Sequence, residues 1–326
     1  MPSGLREELE RRLDDAAASG FSGAALITVG GATVLARGYG LADRGAMVPN
    51  GPDTAYDFGS ILKDLTAAAI FKLESEGKLA LTDPLSAFFD DVPADKAGIT
   101  VLQVVQHRAG FDEYHDEEGD FEPMTREEAR GRIFAQALLF APGSAEAYSN
   151  AGYTLLADLV ETVSGRAYTD YVREGLMAPA GLQSSGFFGD PLWQQVDTAI
   201  GYDAEVFGDN DPAAWPYTWA LVGNGGLVTT VRDLERWLVA IWGGRVLSPP
   251  AFEAYRTQYL ASGALTLGGK TAYAYAGGGD FGFGGVAIDC PEANARVVLG
   301  SNAYDPEAFD LDRFGLELGE LVLSAR

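Results

Sequence analysis

Read for the spacing of apolar and polar positions, the chain predicts helices in its middle and strands near both ends. MPSGLREELERRLDDAAASG is a charged amphipathic helix. SGAALITVGGATVLARGYGLAD reads as two strands around a Gly30-Gly31 turn. A long helix is expected from about Ser60 to Glu76, with Gly77 placed to stop it. Shorter helical pieces follow at Thr100 to Gln106 and Thr125 to Leu138, the second opening with Thr-Arg-Glu-Glu, a capping-box pattern. NAGYTLLADLVETVSG, Asn150 to Gly165, carries an apolar helical stripe and a terminal glycine, and Tyr168 to Glu174 suggests one more helix. Residues 185–225, rich in Gly, Pro, Asp and Trp, read as loops. GGLVTTVRDLERWLVAIWGG gives a short strand and then a helix. TAYAYAGGG, FGFGGVAIDC and ARVVLGSNA are strand-like, and Asp305 to Ala325 closes as a helix.

The economical arrangement is a mixed α/β fold of the α+β type. One antiparallel sheet is built from both chain ends and flanked by helices, with an all-helical lobe inserted. On this reading 1–79 and 216–326 form the sheet domain and 80–215 the helical lobe. The cleft between them is where a site is expected.

Composition narrows the function classes. With 326 residues, 47% of them apolar and 21% charged, the chain is long enough for a large core and is not of a disordered type. No run of about 18 apolar residues appears, so no spanning helix is expected. The first residues lack the basic start and apolar stretch of a signal peptide, and a cytoplasmic location is expected. A single cysteine, Cys290, leaves no internal disulfide and suits a reducing compartment. A net charge of −24 argues against nucleic acid and anionic membranes as partners. Two histidines, His107 and His115, make a Ser-His-Asp triad and a histidine-rich zinc site poor expectations, and no cofactor is implied.

The candidate chemistry begins at Ser60 and Lys63. Three residues apart on a helix, they lie on one face, so the lysine amine can approach the serine hydroxyl. The front of the helix supplies free N–H groups and the positive dipole end for an oxyanion. For Lys63 to serve as a base near neutral pH its proton must be loosened at a cost of about 4 kcal/mol, which burial among Leu62, Leu65, Ala67 and Ala68 or a nearby cation would supply. The bland reading is a solvated lysine. Ser75 and Lys78 share the spacing but straddle Gly77, where the helix should end. A second element, Tyr148-x-Asn150, falls just before a helix. A phenol can relay a proton and an amide can bond both a lysine and a substrate carbonyl. The bland reading makes Tyr148 a half-buried aromatic and Asn150 an N-cap.

The runs FGSILKDLTAAAIFKLESEGKLALTDPLSAFF, ITVLQVVQHRAGF and APGSAEAYSNAGYTLLADLVETVSG resemble the serine β-lactamase and penicillin-binding protein superfamily. The resemblance runs from about Gly23 to Asn302 and leans to the branch of class C β-lactamases, D-aminopeptidases and β-lactamase-like carboxylesterases. It implies Ser60 as nucleophile, Lys63 as its base partner, Tyr148 as proton relay and Asn150 as a positioning residue. It also implies an oxyanion hole from the N–H groups of Ser60 and Gly279. His107 matches a histidine that is not the base in that family and is read as structural; His115 has no matching role.

The resemblance fails at the third motif, a Lys or His, then Thr or Ser, then Gly. Aligned on Gly282-Phe283, those positions hold Ala276, Gly277 and Gly278, with no cation and no hydroxyl. Lys270 is six residues back, roughly 20 Å along an extended strand. Such a site loses a charge-assisted bond to a substrate carboxylate, worth about 1.5–3 kcal/mol. The expectation is therefore a serine hydrolase for simple carboxylic esters acting through an acyl-enzyme. Tyr202, Phe207, Trp215, Tyr217 and Trp219 are candidate pocket walls. The alternatives are a β-lactamase or D-peptidase type amide hydrolase, an acyltransferase, and a catalytically weak penicillin-binding-like protein. The substrate expected is a small ester or amide, and the oligomeric state is left open.

Overall fold

The computed structural model describes residues 4–114, 119–202, 210–278, 281–305, 307 and 309–325. His115, Phe207 and Gly279 lie outside these described residues. The strands are β1 (Gly23–Val29), β2 (Ala32–Tyr39), β3 (Leu41–Asp43), β4 (Val48–Pro49), β5 (Ala55–Asp57), β6 (Gly186–Phe187), β7 (Leu227–Thr230), β8 (Ala264–Leu267), β9 (Lys270–Gly278), β10 (Gly284–Cys290) and β11 (Ala295–Ser301). The α-helices are α1 (Leu5–Ala18), α2 (Leu62–Ser75), α3 (Val101–Val105), α4 (Arg126–Ala135), α5 (Asn150–Ser164), α6 (Tyr168–Val172), α7 (Ala178–Ala180), α8 (Val231–Trp242), α9 (Pro249–Gln258) and α10 (Leu311–Ser324).

The main sheet is antiparallel, in the order β2-β1-β11-β10-β9-β8. The two chain ends meet in it: Gly23 pairs with Ser301 and Thr28 with Arg296. Alternation along these strands separates two apolar faces. Ile27, Leu35, Val286, Ile288, Val297 and Leu299 pack beneath Leu5, Leu9 and Leu13 of α1 and Leu318 and Val322 of α10. Ala24, Leu26, Ala287 and Val298 face the other way, into the larger core that holds α2, α5 and α8. This is the mixed fold expected, with the sheet drawn from both ends.

Local signals set many of the boundaries. Gly30 and Gly31 both have positive φ, 60° and 79°, and close the β1–β2 hairpin. Thr125 and Glu128 form the capping box at α4, and Thr100 and Gln103 form another at α3. Gly165, at φ 69°, ends α5. The last helix begins at Leu311, with Asp310 capping it, later than the apolar pattern predicts. Several elements carry no prediction at all: the short β4, β5 and α7, and the longer α9 and β8. Strand β8 pairs only with Lys270–Tyr273, so the second half of β9 has β10 on one side and the cleft on the other.

Candidate active site

The short buried strand β5 delivers the chain to Ser60. Asp57 Oδ1 accepts the Gly59 N–H at 2.7 Å and bends the backbone out of the strand. Gly59 has φ 44°, and a Cβ there would stand 2.6 Å from Gly278 N. A 3₁₀ turn, Gly59–Ile61, then feeds α2. That helix is covered nearly all round: Leu62 through Phe71 are buried without a break, which an amphipathic reading does not convey.

Lys63 is 4% exposed for this reason. Its Nζ donates to Ser60 Oγ at 3.1 Å and to the Asn224 carbonyl at 2.5 Å. It also lies 4.7 Å from the ring centre of Tyr148 and 5.8 Å from that of Tyr153. Asn224 is itself locked, its Nδ2 donating to Thr154 Oγ1 at 2.8 Å and to the Ala220 carbonyl at 3.0 Å. Tyr148 Oη donates to the same oxygen, Ser60 Oγ, at 2.7 Å. Two groups from distant stretches of the chain thus converge on one hydroxyl. The matched pair Ser75 and Lys78 does not converge: Ser75 Oγ donates to the Lys72 carbonyl, and Gly77 at φ 70° turns the chain between them.

Ser149, and not Asn150, caps α5, its hydroxyl accepting the Gly152 N–H at 3.0 Å. The Asn150 amide is left to line the cleft, where Nδ2 meets the Glu113 carboxyl oxygens at 3.4 and 3.5 Å. His107 sits behind Tyr148. Burial first, then the Lys63 charge, pushes its pKa down to about 4, so the imidazole is neutral at ordinary pH.

At the end of β9, Ala276 is exposed and offers neither cation nor hydroxyl. A Cβ on Gly277 would stand 2.2 Å from the Phe58 carbonyl oxygen and 2.8 Å from Ser60 N. Its glycine is therefore demanded by the approach of the strand to the backbone at the nucleophile. Gly278 has φ 94° and lines the cleft. Lys270, at the far end of the strand, donates to the Leu323 carbonyl at 2.8 Å.

The cleft beside Ser60 encloses about 200 Å³. Its apolar walls are Phe188, Leu221 and Phe281, and its polar groups include Asp57, Tyr148, Asn150 and Asn224. The four described aromatic residues expected as walls, Tyr202, Trp215, Tyr217 and Trp219, are not in its lining. Trp215 stands behind the wall, 4.8 Å from the ring of Phe188 and 4.9 Å from that of Phe281. Tyr217 stacks on Phe187 at 4.9 Å and its hydroxyl donates to the Gly225 carbonyl at 3.3 Å. Trp219 packs against the core, where its carbonyl accepts the Tyr114 hydroxyl. Tyr202 lies under the Arg44 guanidinium at 4.1 Å. Large aromatics near a cleft more readily fill the layer under its lining than face its water. The residues missed by sequence reasoning are Asp57, Glu113, Asn224, Phe188, Leu221 and Phe281. Only Phe281, within the glycine-rich third-motif text, had a signal.

Among the described residues no group of three or more His, Cys, Asp or Glu side chains is arranged to hold a metal. No helix among them is long and apolar enough to cross a membrane.

A family model described as Beta-lactamase matches residues 7–319. Among curated proteins, the chain is 30% identical over 234 residues to "Putative penicillin-binding protein PbpX" of Bacillus subtilis (strain 168), covering 72% of this chain and 58% of that one. The chain spans about half the length of the curated relatives it matches, 42–58% for three of them. Two solved structures share the fold at lower identity. A D-amino acid amidase from Ochrobactrum anthropi SV3, complexed with L-phenylalanine amide, superposes with a TM-score of 0.82 at 23% identity, covering 99% of this chain and 98% of that one. EstCE1, described as a hydrolase with promiscuous acyltransferase activity, gives 0.76 at 20% identity, covering 98% and 100%.

Proposed function

The chain belongs to the beta-lactamase family, whose members are mostly serine hydrolases, and from that premise we propose that it cleaves small uncharged carboxylic esters through an acyl-enzyme on Ser60. The observation that carries the reading is the convergence of Lys63 Nζ at 3.1 Å and Tyr148 Oη at 2.7 Å on one serine oxygen. Lys63, with Tyr148, takes the Ser60 proton as Oγ attacks the ester carbonyl. The Ser60 N–H and a second amide from the glycine run at the end of β9, assigned to Gly279, hold the developing oxyanion. Tyr148 returns a proton to the leaving alkoxide, and water, activated by the same pair, releases the acid. Asn150 holds the acyl side of the substrate at the cleft wall.

Esters are favoured over β-lactams and peptide carboxylates by what the cleft lacks and what it holds. Its described lining contains no lysine or arginine, and Asp57 is part of it. A substrate carboxylate would find no charge-assisted partner, a loss of about 1.5–3 kcal/mol. A space of about 200 Å³ is below the usual range for larger ligands and suits short acyl groups. Ser60→Ala is expected to abolish turnover of short p-nitrophenyl esters. A rate in that variant equal to the parent's would remove Ser60 from the mechanism.

The acidic groups favour a second reading, hydrolysis of amino-acid amides. Asp57 in the lining and Glu113 against Asn150 are placed to receive a substrate ammonium group. The likeness to a D-amino acid amidase and to the D-aminopeptidase of Brucella anthropi, 27% identical over 226 residues, points the same way. Rates on p-nitrophenyl butyrate, D-alanine amide and nitrocefin separate the readings. A preference for the amide that Glu113→Gln removes would establish the second.

A further inference from the structure

We propose that His107 is a positioning residue for Tyr148, a role that rests on the reading of Tyr148 as the proton carrier. The need for one is set by exposure. Tyr148 is 56% exposed and sits on the approach to α5, outside the helix. An aromatic side chain so placed has several staggered rotamers open to it. Its hydroxyl must nevertheless stay 2.7 Å from Ser60 Oγ. Misplacing a reacting group by about 1 Å costs on the order of a hundredfold in rate.

His107 restrains both the ring and the backbone that carries it. The imidazole stacks on Tyr148 with centroids 4.9 Å apart and planes 26° apart. It also stacks on Tyr153, again at 4.9 Å, with planes 30° apart. Tyr153 is fully buried and its hydroxyl donates to the Val105 carbonyl at 2.9 Å, so the stack ends on a fixed ring. On the backbone side, Ser149 N–H donates to His107 Nδ1 at 3.1 Å and Ala147 N–H donates to the His107 carbonyl at 3.0 Å. The residues just before and just after Tyr148 therefore both hang from His107.

The backbone at His107 is itself special. Its φ is 57°, a left-handed conformation that costs a residue with a Cβ roughly 1–2 kcal/mol and that Asn and His adopt more readily than most. That conformation aims the ring between the two tyrosines. With Nδ1 accepting from Ser149, the imidazole proton resides on Nε2. The depressed pKa, caused by burial and then by Lys63, agrees with a ring kept neutral. A charged ring would carry an N–H at Nδ1 facing the Ser149 donor.

The test is a double-mutant cycle on a short-chain ethyl ester, whose poor leaving group needs a proton. His107→Asn keeps a residue that tolerates left-handed φ and offers an acceptor oxygen, but removes the ring; His107→Phe keeps a ring and removes the acceptor. With Tyr148 present, His107→Asn is expected to lower kcat about ten- to a hundredfold with KM within about twofold. In the Tyr148→Phe background the same change is expected to alter kcat by less than about twofold. Melting temperatures of all variants establish that each is folded, and His107→Phe serves if the Asn variant is not. A kcat loss equal in both backgrounds, or a His107→Asn enzyme as fast as the parent, overturns the proposal. If Tyr148→Phe alone leaves kcat unchanged, the reading of Tyr148 fails and takes this role with it. The same cycle read by the rate of Ser60 labelling with a fluorophosphonate gives the answer without ester turnover.

Discussion

Lys63 and Tyr148 both reach Ser60 Oγ, and in the proposed cycle the two are not equivalent. Tyr148 is exposed and lines the cleft, whereas Lys63 is buried beneath it, so in the proposed cycle only Tyr148 can meet the leaving alkoxide. Replacing it with phenylalanine is therefore expected to cost more where the leaving group needs a proton. For an ethyl ester the loss in kcat should be about 10²–10³; for a p-nitrophenyl ester, whose phenolate leaves unaided, it should be several-fold smaller. Equal losses on both substrates would confine Tyr148 to the attack step. At this scale the legible part of the site is the part written in residue types. A serine and a lysine three apart at a helix start, and a tyrosine just before another helix, bear their spacing on the surface of the sequence. The Asn224 carbonyl that anchors Lys63 carries no such mark, because any residue has a carbonyl and only the tertiary fold aims this one. Nor do Phe188 and Phe281 stand out, as letters, from Trp215, which packs behind both.

Helix α2 and strand β9 meet where the chemistry is, and both the contact and the helix interior are demanding. Gly277→Ala would put a Cβ 2.2 Å from the Phe58 carbonyl, backbone that cannot swing aside. The strand must withdraw, carrying the neighbouring amides with it. Overpacking of this sort costs about 1–3 kcal/mol, and displacing the proposed oxyanion donors is expected to lower kcat about 10²-fold, with Ser60 labelling slowed in parallel. An alanine variant with unchanged kcat would mean that the approach of the two backbones is immaterial to the reaction. One turn along, α2 buries Asp64, which accepts from Trp237 Nε1 at 2.6 Å and Tyr255 Oη at 2.5 Å. Burial raises its pKa to about 6 from 3.8, only partly countered by those two donors. The folded chain then holds this proton more tightly than the unfolded one. The sign follows: its stabilising contribution is complete at pH below about 4 and is lost as pH rises toward 6 and beyond, on the order of 3 kcal/mol in all. Asp64→Asn has no proton to lose, so its stability relative to the parent should increase between pH 4 and 6 and then level off. Urea unfolding at several pH values checks this, and a difference independent of pH would place the Asp64 proton affinity near its unfolded value. The helix itself was legible from its apolar content, its glycine stop and its flanking text. Its burial on all sides was not, since a continuous apolar run is compatible with one covered face or with several. The same limit hid α9, whose Pro-Pro start reads as a breaker until Pro249 is seen in the first turn, where a missing N–H costs nothing.

For the whole molecule, the joining of the two chain ends in one sheet followed from strands clustered at both termini with helices between them. The net charge of −24 is equally a property of the entire chain, and it bears on which substrates arrive. At an ionic strength of about 0.01 M the Debye length is about 30 Å, comparable with the size of a domain, so charges far from the cleft act on a solute approaching it. At about 1 M it is about 3 Å, and only groups in the cleft, Asp57 foremost, are felt. A choline ester should therefore lose kcat/KM as salt is added, and an acid ester bearing a free carboxylate should gain it. Each is expected to change by on the order of tenfold, while an uncharged ester of the same acyl group stays level. The salt series also separates two causes of poor activity on anionic substrates. If the carboxylate ester rises to meet the neutral one at high salt, the whole-molecule field was excluding it. If it remains slower by the one to two orders of magnitude that a missing charge-assisted bond of about 1.5–3 kcal/mol implies, the deficit belongs to the end of β9, where Ala276 and Gly277 leave nothing to hold a carboxylate.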